Sequence, residues 1–248
     1  MRHHVAPMPP PLVLVPPSEG KAPGGRRSWA ADAGDFGSLG PKRRAVVEAL
    51  GRIDRLDPAV AAKVFGVRGE LAERAVEAAD ALLEGRAPAL PAWRRFTGVV
   101  WEHLEPATIP AALRRRVLVP SALLGLSRAT DPVPDFRLKL SVSLPGLGRL
   151  DRFWRPVVTA ALGRTRGPVV DLLPNEHAAA ADLASLASRV VRVAFVDAGG
   201  AAVGHDAKAV KGEVARAVLL EGLDALDDFA WKGWSAGREG RQVVVRRD

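Results

Sequence analysis

The sequence predicts a single-domain α/β protein in which a mixed β-sheet is flanked by helices. Short runs of β-branched and other apolar residues, each closed by Pro, Gly or charge, alternate with longer segments whose apolar residues recur every three or four positions. The first pattern is typical of buried strands and the second of helices, so their alternation indicates a layered α/β fold. The 248 residues suit one domain, residues 1–248, because single cores stop growing at about 250 residues.

The predicted strands are short and apolar. The first covers residues 12–15 and is ended abruptly by Pro16 and Pro17. Residues 18–40, rich in Gly, Pro, Ser and charge, then predict a flexible or binding loop. The remaining strands are expected at residues 116–119, 169–173, 190–196 and 242–245.

Residues 41–85 predict a helical subregion. Val46, Leu50 and Ile53 recur at helical spacing, and the same spacing continues to Leu82, which predicts two or three helices. Shorter helical patterns predict further helices at residues 96–104, 150–162, 178–188 and 208–220.

Composition restricts the class of partner. Lys and Arg outnumber Asp and Glu by 36 to 28, giving a net charge of +8, which favours a polyanionic partner. No cysteine is present, which excludes disulfides, thiolate nucleophiles and cysteine-ligated metals. No apolar run reaches the ~20 residues of a membrane-spanning helix, and residues 1–11 lack the pattern of a secretory signal. We therefore expect a cytoplasmic protein without a membrane partner.

A lysine pair near residue 210 is the most informative basic segment. Lys208 and Lys211 share one face at the start of a predicted helix, and Arg216 follows in the same helix. Two cations there oppose the positive end of the helix dipole, which a bound phosphate would offset. An ordinary solvated helical face accounts for the same spacing.

Polar side chains also follow the first and third predicted strands. Ligands of open α/β sheets bind at the carboxyl ends of strands, so Ser18, Glu19 and Lys21 are placed to meet a substrate, although a tight turn explains them equally well. Glu176 and His177 follow the third strand and, with His205, supply acid/base candidates, against a plain helix cap at that point. No spaced set of metal ligands occurs, and we expect neither a metal nor a cofactor.

A glycine-bracketed turn separates two predicted helices. Gly66 and Gly69 are similar to the glycines of a helix-hairpin-helix motif, whose exposed amides grip a DNA phosphate without reading sequence. The usual motif has one residue between its glycines, whereas this chain has two, Val67 and Arg68. A plain helical turn fits equally well.

Seven short phrases follow one another along nearly the whole chain. They are LVPPSEGK (14–21), FTGVVW (96–101), SALLGL (121–126), DPVPDFRL (131–138), FW (153–154), VVDL (169–172) and HDAKAVKG (205–212). In this order they resemble the YaaA family of peroxide-stress proteins. The resemblance implies one compact α/β domain with a positively charged cleft, a helix-hairpin-helix-like element, and a role in protecting DNA during hydrogen peroxide stress. Transferred by position, the cleft residues are Lys21, Arg137, Lys208, Lys211 and Arg216, which would contact anionic oxygens.

The chain also departs from the family pattern. Leu173 and Pro174 stand where relatives tend to carry Arg and Ser, and His177 and Asp206 replace aromatic residues. Two functions follow as hypotheses. One is non-specific binding of double-stranded DNA through backbone phosphates. The alternative is a divergent paralogue that acts as an enzyme on a nucleobase, nucleotide or other small anionic substrate, with Glu19, Glu176 and His205 as its acid/base candidates.

Overall fold

A computed structural model describes residues 9–54, 57–204, 207–239 and 242–248, and it places short strands between helices along this length. The strands are β1 (Leu12–Leu14), β2 (Arg27–Ser28), β3 (Pro88–Pro91), β4 (Val117–Ser121), β5 (Gly125–Arg128), β6 (Pro132–Pro134), β7 (Ser143–Leu144), β8 (Gly148–Arg149), β9 (Val169–Asp171), β10 (Val190–Val196), β11 (Ala230–Trp231), β12 (Trp234–Glu239) and β13 (Gln242–Arg247).

The α-helices include three in the predicted helical subregion and longer ones beside the sheet. They are α1 (Gly40–Gly51), α2 (Pro58–Phe65), α3 (Glu70–Leu83), α4 (Ala92–Arg95), α5 (Val99–Leu104), α6 (Ala111–Arg114), α7 (Leu150–Gly163), α8 (Asn175–Ala178) and α9 (Ala207–Glu221). Single 3-10 turns lie at Gly37–Leu39, Pro106–Thr108, Ala184–Leu186 and Leu223–Leu226.

The main sheet has eight strands in the order β11-β12-β13-β10-β9-β1-β4-β5. Its five central strands, from β13 to β4, are parallel, and the strands at both ends are antiparallel. A smaller antiparallel sheet joins β2, β3 and β6, and β7 pairs with β8. The sheet is therefore mixed and flanked by helices, which confirms the predicted α/β fold.

The order of the central strands creates a switch point at β1. From β1 the chain continues to β4 on one side of the sheet and later to β9 on the other. Loops that leave β1 and its two neighbours therefore diverge at the carboxyl edge and open a crevice there. In open α/β sheets this crevice is the usual place for a ligand.

The core lies around these central strands. All residues of β1, β4 and β9 are buried, as expected for parallel strands covered on both faces. Trp154 of α7 is fully buried, and its indole N–H donates to the carbonyl of Ala122 at 2.8 Å. Gly125 has a φ of +69° and faces the Trp154 ring where a Cβ would clash, which explains a glycine at this turn.

One predicted helix differs from the structure. The pattern over residues 178–188 predicts a helix, but α8 ends at Ala178 and a single 3-10 turn follows. Asp182 ends the helical pattern because its carbonyl and carboxylate oxygens accept hydrogen bonds from the Ser185 hydroxyl and backbone N–H, at 2.7 and 3.4 Å. Such local bonds compete with helix formation.

Within residues 18–40 the structure contains β2 and one 3-10 turn between extended segments. The carbonyls of Ala22, Gly24 and Pro88 accept from the buried guanidinium of Arg95, which holds this stretch against β3. The assignment of the whole chain, residues 1–248, to one domain stays a prediction.

Candidate functional site

A pocket opens at the carboxyl edge of the sheet, at the β1 switch point. Its volume is about 400 Å³, and three of its walls are the segments that leave β1, β4 and β9. The other walls come from the α2–α3 turn and from the chain after β6. We call it the switch-point pocket, lined by residues 17–21, 65–67, 71, 121–122, 136–140 and 176–177.

The pocket brings together side chains that the sequence singles out in separate segments. Glu19, Lys21, Arg137, Glu176 and the backbone of Gly66 all line it. They meet because parallel strands end at one edge, so loops far apart in sequence become neighbours. His205 lies outside the described residues.

Lys21 occupies the inner wall of the pocket. Its ammonium nitrogen donates to the carbonyl of Ser18 at 3.1 Å and lies 4.5 Å from the ring centre of Phe136 and 5.8 Å from that of Phe96. Burial lowers the pKa of Lys21 from 10.5 to about 7, and the neighbouring charge of Arg137 acts in the same direction. An amine in this environment can both accept and release a proton near neutral pH.

Arg137 and Lys139 supply permanent positive charge to the same pocket. The guanidinium of Arg137 is half-buried and donates to the backbone carbonyl of Glu19, which fixes it beside the Lys21 segment. Lys139 is exposed and its side chain lies across Gly66. A Cβ on Gly66 would stand 2.7 Å from the Lys139 Cε, so the glycine, at φ +68°, also makes room for this lysine.

His177 is a half-buried titratable group that lines the pocket. Burial lowers the pKa of His177, with Lys211 contributing in the same direction, so the neutral imidazole dominates at pH 7. Its Nδ1 is buried and makes no hydrogen bond within the part of the chain that the structure describes. A buried ring nitrogen without a partner is suited to bonding a ligand atom. Glu176, next to it, is exposed at the mouth.

Lys211 lies deeper, on the buried face of α9. Its ammonium is 5.1 Å from the ring centre of Phe195, and burial together with the charge of Arg192 lowers its pKa. Arg192 forms an ion pair with the fully buried carboxylate of Asp171 and bonds Asn175 at 3.1 Å. This network lies beneath the pocket wall after β9, and Lys208 of the same helix is exposed.

Arg216 and Gly69 are not among the lining residues of the pocket. The Arg216 guanidinium bonds the Thr108 hydroxyl at 2.7 Å and pairs with Glu105 at 3.5 Å, between α9 and the end of α5. Gly69 has a φ of +58° and precedes the first residue of α3, whose first turn carries Glu70 and Glu73. These acids already complement the positive end of the α3 dipole, so a phosphate would meet repulsion there.

Sequence reasoning missed three contributors to the pocket environment. Lys139 was not singled out, although it stands two residues from Arg137 in the segment that lines the pocket after β6. Phe136 and Asp135 were missed because nothing in their spacing indicates a pocket. Asp135 contributes a buried oxygen that makes no hydrogen bond among the described residues and whose charge raises the pKa of Lys21.

No group of three or more His, Asp or Glu side chains comes together as metal ligands would in the ranges that the structure describes. In the same ranges, no helix is long and apolar enough to cross a membrane.

The fold and the pocket define an α/β protein with a crevice at its switch point that is lined by charged and apolar side chains. The family model described as peroxide stress protein YaaA matches residues 12–239, nearly the whole chain. The chain therefore belongs to the YaaA family, as its sequence phrases predict.

Relatives of known sequence agree with this assignment. UPF0246 protein SCO2297 of Streptomyces coelicolor is 34% identical over 220 residues, which cover 85% of this chain and 84% of the relative. UPF0246 protein CE1889 of Corynebacterium efficiens is 31% identical over 219 residues, covering 86% and 87%. UPF0246 protein TM1040_2658 of Ruegeria sp. is 32% identical over 157 residues, covering 57% and 62%.

Proposed function

We propose that this chain binds a small anionic ligand in the switch-point pocket and carries out acid–base chemistry on it. The observation that carries the proposal is the buried Lys21 amine, which lies in one pocket with the Arg137 and Lys139 cations. Strongly perturbed titratable groups in a cleft are typical of functional sites. The acid/base candidates beside Lys21 are His177, Glu19 and Glu176.

The size and charge of the pocket favour a small ligand over a polymer. A volume of about 400 Å³ lies in the range of small-molecule sites, which run from roughly 300 to 1,000 Å³. Glu19 and Glu176 place two carboxylates beside the three cations. Such carboxylates would repel the continuous charge of a polyanion but can serve as proton donors or acceptors for a compact one. A nucleoside monophosphate or a similar anion of comparable size fits this description.

Calorimetric titration tests the binding step. We expect inorganic phosphate or nucleoside monophosphates to bind saturably at pH 7, and Arg137→Gln to weaken that binding about tenfold, because one charge-assisted contact is lost. The matched control is Arg164→Gln, at the opposite edge of the sheet, which should bind like the parent protein. Equal affinities of both variants, or no binding of either probe by the parent protein, would remove the proposal.

A separate variant, Glu19→Gln, tests the proposed acid–base step. With a substrate in hand, Glu19→Gln should abolish turnover and leave the melting temperature unchanged, since the exposed carboxylate carries no described hydrogen bond of its own. Unchanged turnover would remove Glu19 from the acid/base candidates.

A second candidate function is non-specific contact with DNA phosphates, and it matches the description of the family as peroxide-stress proteins. The specific observation in its favour is a group of exposed cations around the α2–α3 turn, whose residues 65–67 form one wall of the pocket. Lys63 and Arg68 flank the α2–α3 turn, and Lys139 lies across that turn at Gly66. Under this function the protein shields DNA during hydrogen peroxide stress, and binding weakens steeply with salt. Either function suits a cytoplasmic protein.

A further inference from the structure

Lys21 is a partly buried cation at the inner wall of the switch-point pocket. Few hydrogen bonds stabilise its charged form. The ammonium has one hydrogen bond, to the Ser18 carbonyl, and among the described residues no carboxylate forms an ion pair with it. A lysine kept in a pocket without a counter-ion is unusual, because a buried charge is normally paired.

We propose that Lys21 is a nucleophilic amine that forms an imine with small carbonyl-bearing anions, such as 2-oxo acids or phosphorylated aldehydes, in the switch-point pocket. The proposal deepens the ligand-binding function above and rests on it. The anionic end of such a ligand contacts Arg137 and Lys139, and its carbonyl carbon faces the amine. Desolvated lysines beside a second cation are the usual imine-forming type.

The charges around Lys21 favour the free amine that this reaction requires. Arg137 and Arg95 disfavour the ammonium, and Asp135 and Glu19 oppose them more weakly than burial acts. At pH 7 a far larger share of the Lys21 amine is therefore unprotonated than of an exposed lysine, whose pKa is about 10.4. The nucleophile is the unprotonated form, so the difference becomes a difference in rate.

Imine formation consumes only the lysine amine and the carbonyl group of the ligand. The lone pair of Nζ attacks the carbonyl carbon, a C–N bond forms, and the carbonyl oxygen takes up the proton that leaves nitrogen, giving a carbinolamine. An acid such as Glu176 protonates that oxygen, which leaves as water, and the nitrogen returns its remaining proton to the same carboxylate as the C=N bond forms. The net change is one amine and one carbonyl converted into one imine and one water, with no oxidant or reductant.

Reductive trapping tests the proposal on the intact parent protein. The probes are glyoxylate and pyridoxal 5′-phosphate, each with cyanoborohydride at pH 7, followed by intact mass and peptide mapping. We expect one adduct, located at Lys21, formed at least about tenfold faster than at any other lysine. Inorganic phosphate should slow it, because it competes for Arg137 and Lys139. Lys21→Met should lose the adduct, and the control Lys232→Met, which removes an exposed lysine outside the pocket lining, should keep it.

Three outcomes overturn the inference: labelling spread over exposed lysines such as Lys63 and Lys232, labelling at Lys211, or no labelling. The wild-type map decides these cases even if Lys21→Met fails to fold. If phosphate still binds in the calorimeter, the imine inference alone fails. If Lys21 is trapped but no phosphate or nucleotide binds, the proposed ligand class fails and the reactive amine stands.

Discussion

Buried cations of two kinds occur in this protein, and they differ in how their hydrogen bonds are satisfied. The Arg43 guanidinium is 1% exposed and donates to the carbonyls of Leu124, Leu126, Ala31 and Ala33 at 2.9 to 3.0 Å. Lys21 has one such bond and otherwise faces aromatic rings and the pocket. Arg43 therefore holds structure together, whereas Lys21 is kept in an environment that disfavours its charge.

Replacing Lys21 should stabilise the protein, because the variant no longer holds a charged ammonium in this environment. The gain in stability should depend on pH. The folded pKa is about 7 and the unfolded value about 10.4, so the unfolded chain binds more protons between these values. The cost is fully present below pH 7 and disappears as the pH rises toward 10. Lys21→Met should therefore raise the melting temperature at pH 6–7, and its advantage should shrink by pH 10. A variant that melts below the parent protein at pH 6 would show that the lysine is structural.

Replacing Arg43 should have the opposite effect at every pH. Arg43→Met removes a donor from four carbonyls, among them Leu124 in the turn between β4 and β5 and Leu126 in β5, and we expect a loss of about 3 kcal/mol in the free energy of unfolding. The control is the exposed neighbour Arg44→Met, which should change that free energy by less than about 0.5 kcal/mol. Urea unfolding measures both, and similar values for the two variants would contradict the assigned role.

Some residues of the pocket could be predicted from the sequence because they directly follow predicted strands. Glu19 and Lys21 follow β1, and Glu176 follows β9, so the carboxyl-edge rule alone places them at the crevice. Lys139 and Asp135 lie in a stretch without regular structure after β6, whose path over the pocket depends on tertiary packing. The sequence also does not show that Arg216 forms an ion pair with Glu105, because the position of a residue in a helix does not tell which other element lies beside it.

Helix α9 packs very closely against helix α5. Gly212 faces the backbone of α5, and a Cβ there would stand 2.6 Å from the His103 Cβ and 2.9 Å from the Leu104 nitrogen. On the same interface, Nδ1 of His103 and the Glu213 carboxylate lie 2.8 Å apart. The glycine of the HDAKAVKG phrase thus has a packing role independent of any ligand.

Gly212→Ala should destabilise the protein although alanine is the better helix former. In an open helix the change gains up to about 1 kcal/mol, but here α5 and α9 must separate, which costs roughly 1–3 kcal/mol. The control is Gly163→Ala at the end of α7, where the nearest atom to the new Cβ is 3.9 Å away. Thermal melting should place the Gly212 variant below the parent protein and the Gly163 variant at or above it. The reverse order would contradict the close packing.

Helices and strands with a strong pattern of apolar residues were predicted with nearly correct first and last residues. Elements without such a pattern were not. The patterns over 150–162, 190–196 and 208–220 match α7, β10 and α9 to within a residue. Strand β12 was missed because its residues are mostly polar or small, with Trp234 as its buried member. Its place is set by antiparallel pairing with β13, a long-range interaction that no local pattern reveals.

The distribution of charge over the whole molecule separates the two candidate functions. A net charge of +8 attracts any polyanion from a distance, whichever surface it finally contacts. Exposed cations lie both around the α2–α3 turn, as Lys139 and Arg68, and before β9, as Arg164 and Arg166. The first pair is at the carboxyl edge of the sheet and the second pair near its amino edge. Variants of equal charge at the two edges can therefore distinguish a located DNA site from general attraction.

A DNA site around the α2–α3 turn should respond to one of these pairs and not to the other. Fluorescence anisotropy with a short duplex, from roughly 50 to 200 mM salt, gives both the affinity and its salt slope, which reports how many phosphates are neutralised. We expect Lys139→Glu/Arg68→Glu to lower the affinity by about tenfold or more and to flatten the slope, while Arg164→Glu/Arg166→Glu, with the same change in net charge, keeps both nearly intact. Equal losses in the two variants would mean that the overall field, and no defined surface, attracts DNA. Absence of binding by the parent protein at the lowest salt would reject the DNA function. The small-ligand function would remain, since a compact anion contacts residues inside the pocket and does not depend on the exposed cations around the α2–α3 turn.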